Sequence, residues 1–536
     1  MRPLLLLPIL LLVPLPAAAQ EGAQCASPEA TEAYRGGFAA QRAGRSGDAL
    51  TSYKACLAAE EACVPCWYEI GWSYWSRGAW DKTVEAWGKT LELDPKHPEA
   101  GGWLKQTRDN QKRASSPGSE ELRIAMGATS SPAKAPVKLE LVARFQNYNS
   151  RAEVAAGDHY DQDVFSPKSV RFSADGSKAW VNSLEGLRTV VYDAGTLQKT
   201  GTIAHRFGAD DAALFQGEST VFGYRYGKTP PTGDPNRFQG KPVESELSHG
   251  GRFLWVPYYR RSWDGGATSP SAVAIIDTAT DTIVRVMPTG PIPKYVEASP
   301  DGRWVAIAHW GDNTLGLIDT SSGDPATFAY RPERLVVERA LSQEGLADED
   351  RDKACGFCLR GTVFTPDSRT LMVARMGGGG VAGFDVESGE YLGTVLGMKP
   401  TPRHLAFSPD GAWLYLSSNV SGHVSRIPAS AVLEALAGAD GSRVKLEGWE
   451  AVYVGAGART IDLSPDGRWI YAAVNGNAEV VVVNAETMSV VARVRTDSFT
   501  VGLAVSPDGS QVWTTSQGRG GEGGNSVCVY RVTIAK

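Results

Sequence analysis

The chain has 536 residues, of which 42% are hydrophobic and 21% charged, with 59 Gly and 31 Pro. These proportions exclude a disordered chain and a coiled coil, and the glycine and aromatic content favours β-structure. The formal net charge of -6 argues against general nucleic-acid binding, because neutralising phosphates requires an excess of Lys and Arg.

The first 19 residues have the pattern of a secretory signal peptide. Arg2 precedes an apolar run from Leu4 to Leu15, and Pro16 is followed by three alanines, a small-residue cleavage pattern. The run is too short to cross a bilayer of about 30 Å as a helix, and no later segment reaches about 18 uninterrupted apolar residues. The sequence therefore predicts an exported protein, periplasmic or extracellular, without a membrane span.

Residues 26–112 are predicted to form a small helical module with internal repeats. A 34-residue helix-turn-helix pattern is matched by Trp67, Ile70, Gly71, Tyr74, Trp87 and Pro95. A degenerate copy one period earlier aligns Gly37, Gly44 and Tyr53 with Gly71, Gly78 and Trp87. The module resembles a pair of tetratricopeptide repeats (TPR). This resemblance implies a groove that holds a protein partner, and the alternative is a spacer or a cap on the rest of the chain.

Residues 113–137 are rich in Ser, Pro and Ala without periodicity, and they are predicted to be a linker. From residue 138 to residue 536, short runs of Val, Ile, Tyr and Trp alternate with Asp-Gly turns, which is typical of strands in hairpins. A Ser-Pro-Asp-Gly motif or a variant of it starts at Ser173, Ser248, Ser299, Thr365, Ser408, Ser464 and Ser506. The shortest interval between copies is 42 residues, which fits a four-stranded blade of about 40 to 45 residues.

These repeats resemble the YVTN type that is also found in YncE-like proteins, and the resemblance implies a seven-bladed β-propeller. The last copy lacks a fourth strand before the chain ends, whereas residues 139–145 form a spare strand before the first copy. We therefore expect this early segment to supply the outer strand of the seventh blade, which closes the ring and removes an exposed edge. The predicted fold is mainly β, with the helical module in front.

Basic residues recur at one position of the propeller repeat. Five residues before the motif, where the chain enters the innermost strand, the seven copies have Lys168, Val243, Lys294, Arg360, Arg403, Arg459 and Val501. Equivalent positions of a propeller surround one mouth of its channel, so five cations should converge there and attract an anion. The alternative is that each basic side chain bridges neighbouring blades or caps strand carbonyls.

The loops between the second and third strands should open on the same face. Their candidate ligand-binding residues are His309, Trp310, Arg375, Asn419, His423 and Asn475. Such aromatic, amide and cationic groups suit a carboxylate, a phosphate, an acidic glycan or an acidic protein loop. Deeper in the inner strands, Arg171 and Glu246 are expected to form an ion pair between blades, because an unpaired buried charge is costly. The alternative is that the carboxylates there are catalytic or bind a cation in the channel.

The cysteines fit an exported protein. Four of them, Cys25, Cys56, Cys63 and Cys66, lie in the helical module and allow three disulfide connectivities, between which the sequence does not choose. Cys355 and Cys358 are further disulfide candidates in the insertion between blades three and four. Cys528 alternates within an apolar strand and is expected to be a buried free thiol.

The sequence favours a noncatalytic binding or scaffold protein. It contains no G-x-S-x-G, H-E-x-x-H or Walker motif, and neither C-x-x-C is followed by His, so no cofactor, metal or covalent haem is expected. The propeller mouth would bind an anionic ligand or an acidic partner, and the helical module a second protein. One alternative is a lactonase-type propeller hydrolase, which requires Glu, His and Arg to converge at the mouth. Another is a redox subunit that resembles quinoprotein or amine-dehydrogenase propellers.

Overall fold

The N-terminal part of the chain is helical and the remainder is built from sheets. The computed structural model describes residues 25–42, 46–75, 80–115, 124–148, 156–342, 350–518 and 524–535. The chain divides into two compact units, a smaller helical unit and a larger unit that carries the sheets. The signal peptide predicted for residues 1–19 lies outside the described residues. Among the helices of these ranges, none is both long and apolar enough to cross a membrane.

The helical unit is held together by close contacts between neighbouring helices. Its helices α1 to α5 are Pro28–Arg42, Ser46–Ala59, Val64–Trp75, Trp80–Leu93 and Ala100–Ser115. A Cβ atom on Gly37 would lie 2.6 Å from the Tyr53 ring, and one on Gly71 would lie 2.3 Å from the Trp87 ring. Both glycines therefore let a buried aromatic ring approach the backbone of the preceding helix, and the two contacts lie one 34-residue period apart.

Disulfides cross-link the same unit. Cys25 is bonded to Cys63 and Cys56 to Cys66, one of the three connectivities that the sequence allows.

Cys355 and Cys358 are also disulfide-bonded. Among the described residues, Cys528 is the free cysteine and is buried, as the strand pattern predicts.

Seven sheets confirm the predicted seven-bladed propeller. Strands β1 (Val137–Gln146) and β2 (Asp158–Tyr160) precede the first blade. Blade one contains β3 Pro167–Phe172, β4 Lys178–Ser183, β5 Arg188–Asp193 and β6 Gln198–Ala204. Blade two contains β7 Gly240–Pro242, β8 Glu246–Ser248, β9 Phe253–Arg261, β10 Ala272–Asp277 and β11 Thr282–Pro288. Blade three contains β12 Pro293–Ala298, β13 Trp304–His309, β14 Thr314–Asp319, β15 Ala329–Tyr330 and β16 Leu335–Val336.

The remaining blades follow the same order from the inner strand outward. Blade four contains β17 Leu359–Phe364, β18 Thr370–Arg375, β19 Val381–Asp385, β20 Tyr391–Leu396 and, from later in the chain, β24 Arg443–Lys445. Blade five contains β21 Pro402–Phe407, β22 Trp413–Ser418, β23 His423–Pro428 and β25 Glu450–Tyr453, with helix α6 (Ala429–Ala437) inserted. Blade six contains β26 Ala458–Leu463, β27 Trp469–Val474, β28 Glu479–Asn484 and β29 Ser489–Arg495. Blade seven contains β30 Thr500–Val505, β31 Gln511–Ser516 and β32 Ser526–Ile534, followed by β1 and β2. Short 3₁₀ turns occupy Ala212–Phe215, His249–Gly251 and Pro325–Thr327.

The first strand closes the ring, which confirms the expected closure. β1 pairs antiparallel with β32, from Val137 opposite Ile534 to Gln146 opposite Ser526. At this junction the buried Arg144 side chain pairs with the carboxylates of Asp158 and Asp497. The outer strand of blade seven therefore comes from the beginning of the propeller sequence.

Part of the segment predicted as a linker packs on the propeller. The amide of Gly127 donates to the Leu141 carbonyl at 2.9 Å, and the amide of Ser131 donates to the Arg493 carbonyl at 2.8 Å. Ile124 is buried in the core that the last two blades share. Residues 124–136 thus pack beside the closure strand, while residues 116–123 of the predicted linker lie outside the described residues.

The recurring turn has the same internal bonds in each well-matched copy. In blade three, the Ser299 hydroxyl donates to the Asp301 carboxylate at 2.5 Å and accepts from the Trp304 amide at 2.9 Å. Gly302 has a φ of +72°, a conformation that glycine adopts without strain. These bonds fix a tight hairpin between the first two strands of a blade, so the inner strand ends in a similar way in each of these copies.

Candidate functional site

The inner strands of all seven blades enclose a central channel. A cavity of about 410 Å³ lies along it. Its polar lining near the start of the inner strands comprises Ser169, Glu244, Tyr295, His404 and Thr460. This volume falls within the range of about 300 to 1,000 Å³ that is typical of small-molecule sites.

The basic positions of the repeat are β-bulges. Pro167 and Ser169 pair with the adjacent residues Ser183 and Asn182, so Lys168 between them is an extra residue on the inner strand. The same register shift occurs in five other blades, at Lys294, Arg360, Arg403, Arg459 and Val501. A bulge bends the strand and redirects a side chain. The bulges therefore give the mouth positions a shared backbone geometry.

The five mouth cations are Lys168, Lys294, Arg360, Arg403 and Arg459, and three of them pair with two carboxylates, Glu244 and Asp352. Glu244 Oε1 lies 3.5 Å from Lys168 Nζ and 2.5 Å from an Arg360 nitrogen. Lys294 forms an ion pair with Asp352, and its Nζ lies 3.8 Å from the centre of the Trp310 ring. Arg459 lies over the Phe499 ring at 5.6 Å.

Arg403 is the cation whose charge is least compensated. Its side chain is buried, with 7% of the residue exposed. A guanidinium nitrogen lies 3.3 Å from Met376 Sδ, and among the described residues no carboxylate is within ion-pair distance. Burial and then the nearby charges of Arg459 and Arg360 lower the pKa of Arg403 well below its usual value. The mouth therefore contains a desolvated positive charge among other positive charges.

The other cations experience the same crowding. Burial lowers the pKa of Lys168 well below its usual range, and Arg360, Arg459 and Arg403 act in the same direction against Glu244. Burial also lowers the pKa of Lys294 to about 8, although Asp352 raises it. An anion placed between these groups would stabilise their charged forms.

Three polar residues beside the cations were not predicted from the sequence. The Tyr295 hydroxyl is 2.7 Å from His404 Nε2, and the buried Nδ1 of His404 has no hydrogen-bond partner among the described residues. Burial lowers the pKa of His404 to about 3, so its ring is neutral at pH 7. Glu244, Tyr295 and His404 each directly follow a mouth position of the repeat, Val243, Lys294 and Arg403. The position after each mouth residue of the repeat was therefore the signal that could have identified them.

Deeper in the channel, charged residues are mostly paired. Arg171 and Glu246 form the expected ion pair between blades one and two. The carboxylate of Asp462 accepts from the amides of Leu463 at 2.9 Å and Val505 at 2.8 Å. Burial and the adjacent Glu246 raise the pKa of Glu297 well above its usual value. These contacts join neighbouring blades.

Most of the loop residues predicted to bind a ligand are engaged inside the blades. His309 is fully buried, with Nδ1 2.9 Å from the Thr314 hydroxyl and Nε2 accepting from the Gly290 amide at 3.1 Å. Arg375 is also fully buried, and it donates to Thr394 and pairs with Glu338. We therefore leave His309 and Arg375 out of the candidate site.

Of the remaining four loop candidates, some bond to the backbone or are buried, and one lies at the mouth. The Asn419 amide donates to the Ala458 carbonyl at 3.0 Å, and a His423 ring nitrogen lies 2.7 Å from the Ser421 carbonyl. Asn475 is buried. Trp310 lies at the mouth, under Lys294, and its indole nitrogen donates to the Asp352 carbonyl at 3.1 Å. Trp310 therefore contacts a mouth cation.

The comparison with known families agrees with this architecture. The family model described as "Lactonase, 7-bladed beta-propeller" matches residues 246–518, just over half of the chain. The chain belongs to this seven-bladed lactonase family. In this lactonase-family propeller the match includes Lys294, Arg360, Arg403, His404 and Arg459. Lys168 and Glu244 lie before it.

Solved structures give weaker likenesses. Kuenenia stuttgartiensis hydrazine synthase has 17% identity and a TM-score of 0.47, over 71% of this chain and 99% of that chain. The β-propeller domain of Myceliophteria thermophila Cps50 (Swd1) has 14% identity and a TM-score of 0.46, over 68% and 96%. Neither likeness bears on the function of the lactonase-family propeller. No curated protein matches the chain at a significant level.

Proposed function

We propose that this protein binds a small anionic molecule at the mouth of the propeller channel and acts without catalysis. The observation that carries the proposal is the Arg403 guanidinium, which is buried at a bulge beside other cations and has no carboxylate within ion-pair distance among the described residues. A buried charge without a counter-charge is costly in free energy. A ligand carboxylate or phosphate would supply that counter-charge through charge-assisted hydrogen bonds.

The surroundings of Arg403 favour a small ligand. The cavity, which is lined by Glu244, Tyr295 and His404 but by none of the five mouth cations, has a volume of about 410 Å³, enough for a molecule with several polar groups. Tyr295 and His404 can exchange hydrogen bonds with neutral groups of such a molecule, because the His404 ring is uncharged at pH 7. The cations would therefore fix an anionic group while the channel wall contacts the rest.

The test compares ligand binding by the full chain with binding by an Arg403→Met variant. The matched control is Arg468→Met, because Arg468 is exposed. Inorganic phosphate, citrate and gluconate serve as probes in thermal-shift and calorimetric titrations. The parent protein should be stabilised by RT ln(1 + [L]/Kd) and the variant should lose at least about tenfold in affinity, equivalent to about 1.4 kcal/mol. Arg468→Met should bind like the parent.

The same variant separates binding from a structural role. If Arg403 serves to bind an anion, its charge is uncompensated in the ligand-free protein. The Arg403→Met variant without ligand should then melt at the same temperature as the parent or higher. If Arg403 instead holds blades together, the variant should melt lower and bind all three probes with unchanged affinity. That second result would overturn the proposal.

Lactone hydrolysis is the second candidate function. Arg360, Glu244 and His404 do meet at the mouth, which is the convergence that a propeller hydrolase requires, and the family name is that of lactonases. A general base works best when its pKa lies near the working pH, and the pKa of His404 is lowered to about 3, so binding ranks first. The rate of glucono-δ-lactone hydrolysis can be measured as alkali uptake at constant pH. We expect the parent protein to hydrolyse the lactone no faster than the His404→Gln variant does. A rate that exceeds that of the variant would favour the hydrolase.

We further propose that the helical unit recruits a protein partner in the manner of TPR modules and that the protein is exported. The repeated glycine–aromatic contacts support the first point, and the disulfides support the second, because they persist in oxidising compartments. Cell fractionation combined with the mass of the mature N-terminus tests export. In a pull-down experiment, the full chain should retain a partner protein, and substitutions confined to the helical unit should abolish that retention.

A further inference from the structure

Four cysteine sulfurs form one cluster in the helical unit. The Sγ atoms of Cys25, Cys56, Cys63 and Cys66 all lie within 4.8 Å of one another. Cys25 precedes α1, Cys56 belongs to α2, and Cys63 and Cys66 lie at the start of α3. Cys56, Cys63 and Cys66 are buried and Cys25 is partly exposed. The two disulfides therefore lie against each other rather than in separate parts of the unit.

The spacing between the disulfides matches that of a tetrahedral metal site. Zinc binds thiolates at about 2.3 Å, so the sulfurs of a tetrahedral site lie about 3.8 Å apart. Cys25 Sγ is 3.8 Å from Cys56 Sγ and 3.8 Å from Cys66 Sγ. The other two pairs of non-bonded sulfurs lie within 4.8 Å of each other, so mainly the two bonded pairs would have to separate for four sulfurs to surround one ion.

We propose that the cluster, when its disulfides are reduced, binds one Zn²⁺ through four thiolates. A dithiol donor supplies two electrons and two protons to each disulfide and is itself oxidised to a disulfide, which leaves four thiols. Zn²⁺ then displaces the four thiol protons as four Zn–S bonds form. All four ligands come from the protein, so the site is closed and structural.

The backbone around the cluster would hold the ligands after reduction. The Cys25 amide donates to the Thr31 hydroxyl at 3.0 Å. The amides of Ala26 and Ser27 donate to the Glu60 carboxylate at 3.0 and 2.7 Å. These bonds attach the segment that carries Cys25 to the end of α2 without any sulfur. Cys25 should therefore stay beside the other three sulfurs when the disulfide opens.

The sequence around Cys63 also suits a metal. Cys63 and Cys66 have the C-x2-C spacing that recurs in structural zinc sites. Both lie at the N-terminus of α3, a helix of 12 residues, where the partial positive charge favours thiolates. The thiolate form needed by the ion is thus favoured at half of the ligands.

The test uses the full chain, reduced with a phosphine under argon and titrated with Zn²⁺ in competition with a chromophoric chelator. We expect one tightly bound ion per reduced chain and none per oxidised chain. Co²⁺ in place of Zn²⁺ should give the intense visible bands of tetrahedral coordination and thiolate-to-metal charge transfer. Far-UV circular dichroism should show that the metal stabilises the helices of the reduced chain against heat.

Two variants locate the site. Cys56→Ser should abolish the tight binding, whereas the double variant Cys355→Ser, Cys358→Ser should bind one ion like the parent. The proposal is wrong if the reduced parent binds no ion tightly, if the cobalt spectrum is octahedral, or if binding is lost only in the double variant. The parent spectra decide the question even if Cys56→Ser does not fold.

Discussion

The helical unit and the propeller hold themselves together over very different lengths of chain. In the helical unit the cross-links join residues 38 and 10 positions apart, and its tight contacts link successive helices. In the propeller the closing contact joins Arg144 to Asp497, 353 positions later, through buried charges. The helical unit therefore depends on covalent bonds and shape, whereas the propeller depends on buried polar groups in their correct protonation state.

The largest expected effect is a loss of propeller stability at acidic pH. His205 and His309 of the propeller are fully buried, and burial lowers the pKa of each to about 3. Between pH 6.5 and pH 3 the unfolded chain binds protons that the folded chain does not, so stability present at neutral pH is lost as the pH falls. From pH 6 to pH 4 the two histidines together should cost the propeller about 5 kcal/mol.

The helical unit should lose less over the same range, because its one histidine, His97, is only half-buried. Urea unfolding at each pH, followed by pulse proteolysis and mass analysis of the surviving fragments, reports both units in one sample. Equal losses in the two units would contradict the comparison.

A second test removes one charge at the ring closure. Asp497 is fully buried and accepts from Arg144, from the Tyr148 hydroxyl at 3.0 Å and from the Ser526 hydroxyl at 2.7 Å. Asp497→Ala should lower the free energy of unfolding of the propeller by about 3 to 5 kcal/mol, because the buried Arg144 loses one of its two carboxylates while the Tyr148 and Ser526 hydroxyls lose their acceptor.

The control for that change is Glu387→Ala. Glu387 pairs with Arg303 on the surface and its side chain is 76% exposed. Its loss should change stability by less than about 1 kcal/mol. Urea midpoints of the two variants should therefore differ clearly, and similar midpoints would show that the closure pair contributes little.

The smallest expected effect concerns shape in the helical unit. Gly71→Ala places a Cβ 2.3 Å from the Trp87 ring and should destabilise the unit by about 1 to 3 kcal/mol through overpacking. Gly88→Ala has nothing within 4 Å of the new Cβ and should stabilise its helix by about 0.5 to 1 kcal/mol. Hydrogen exchange of helix amides measures both changes, and a shift of the same sign in both would refute the packing argument.

The propeller could be predicted because its information is local and repeated. The bonds from Ser299 to Asp301 and to the Trp304 amide span at most five residues, so the motif carries them wherever it occurs. The closure strand followed from counting strands at the two ends of the repeat region. The disulfide pairing did not follow, because all four sulfurs meet at one point and sequence spacing does not order them.

Half of the mouth could be predicted in the same way. The cations have a constant offset from the turn because a bulge recurs there. Their carboxylates do not, since Glu244 belongs to the most divergent repeat and Asp352 to an insertion. His309 and Arg375 had suitable chemistry, but the sequence does not show whether a polar loop side chain faces the channel or bonds to a strand.

The bulges make the mouth an adjustable part of an otherwise rigid ring. The extra residue of each bulge has no partner in the ladder, so exchanging its side chain leaves the pairing of the following strand unchanged. Val501 shows that an apolar residue occupies the same backbone position as Arg403 in another blade. Proteins that descend from one ancestral propeller can thus change the charge of the mouth one blade at a time. The ligand preference of the mouth can likewise be redesigned by substituting the six bulge residues, with the fold left unchanged.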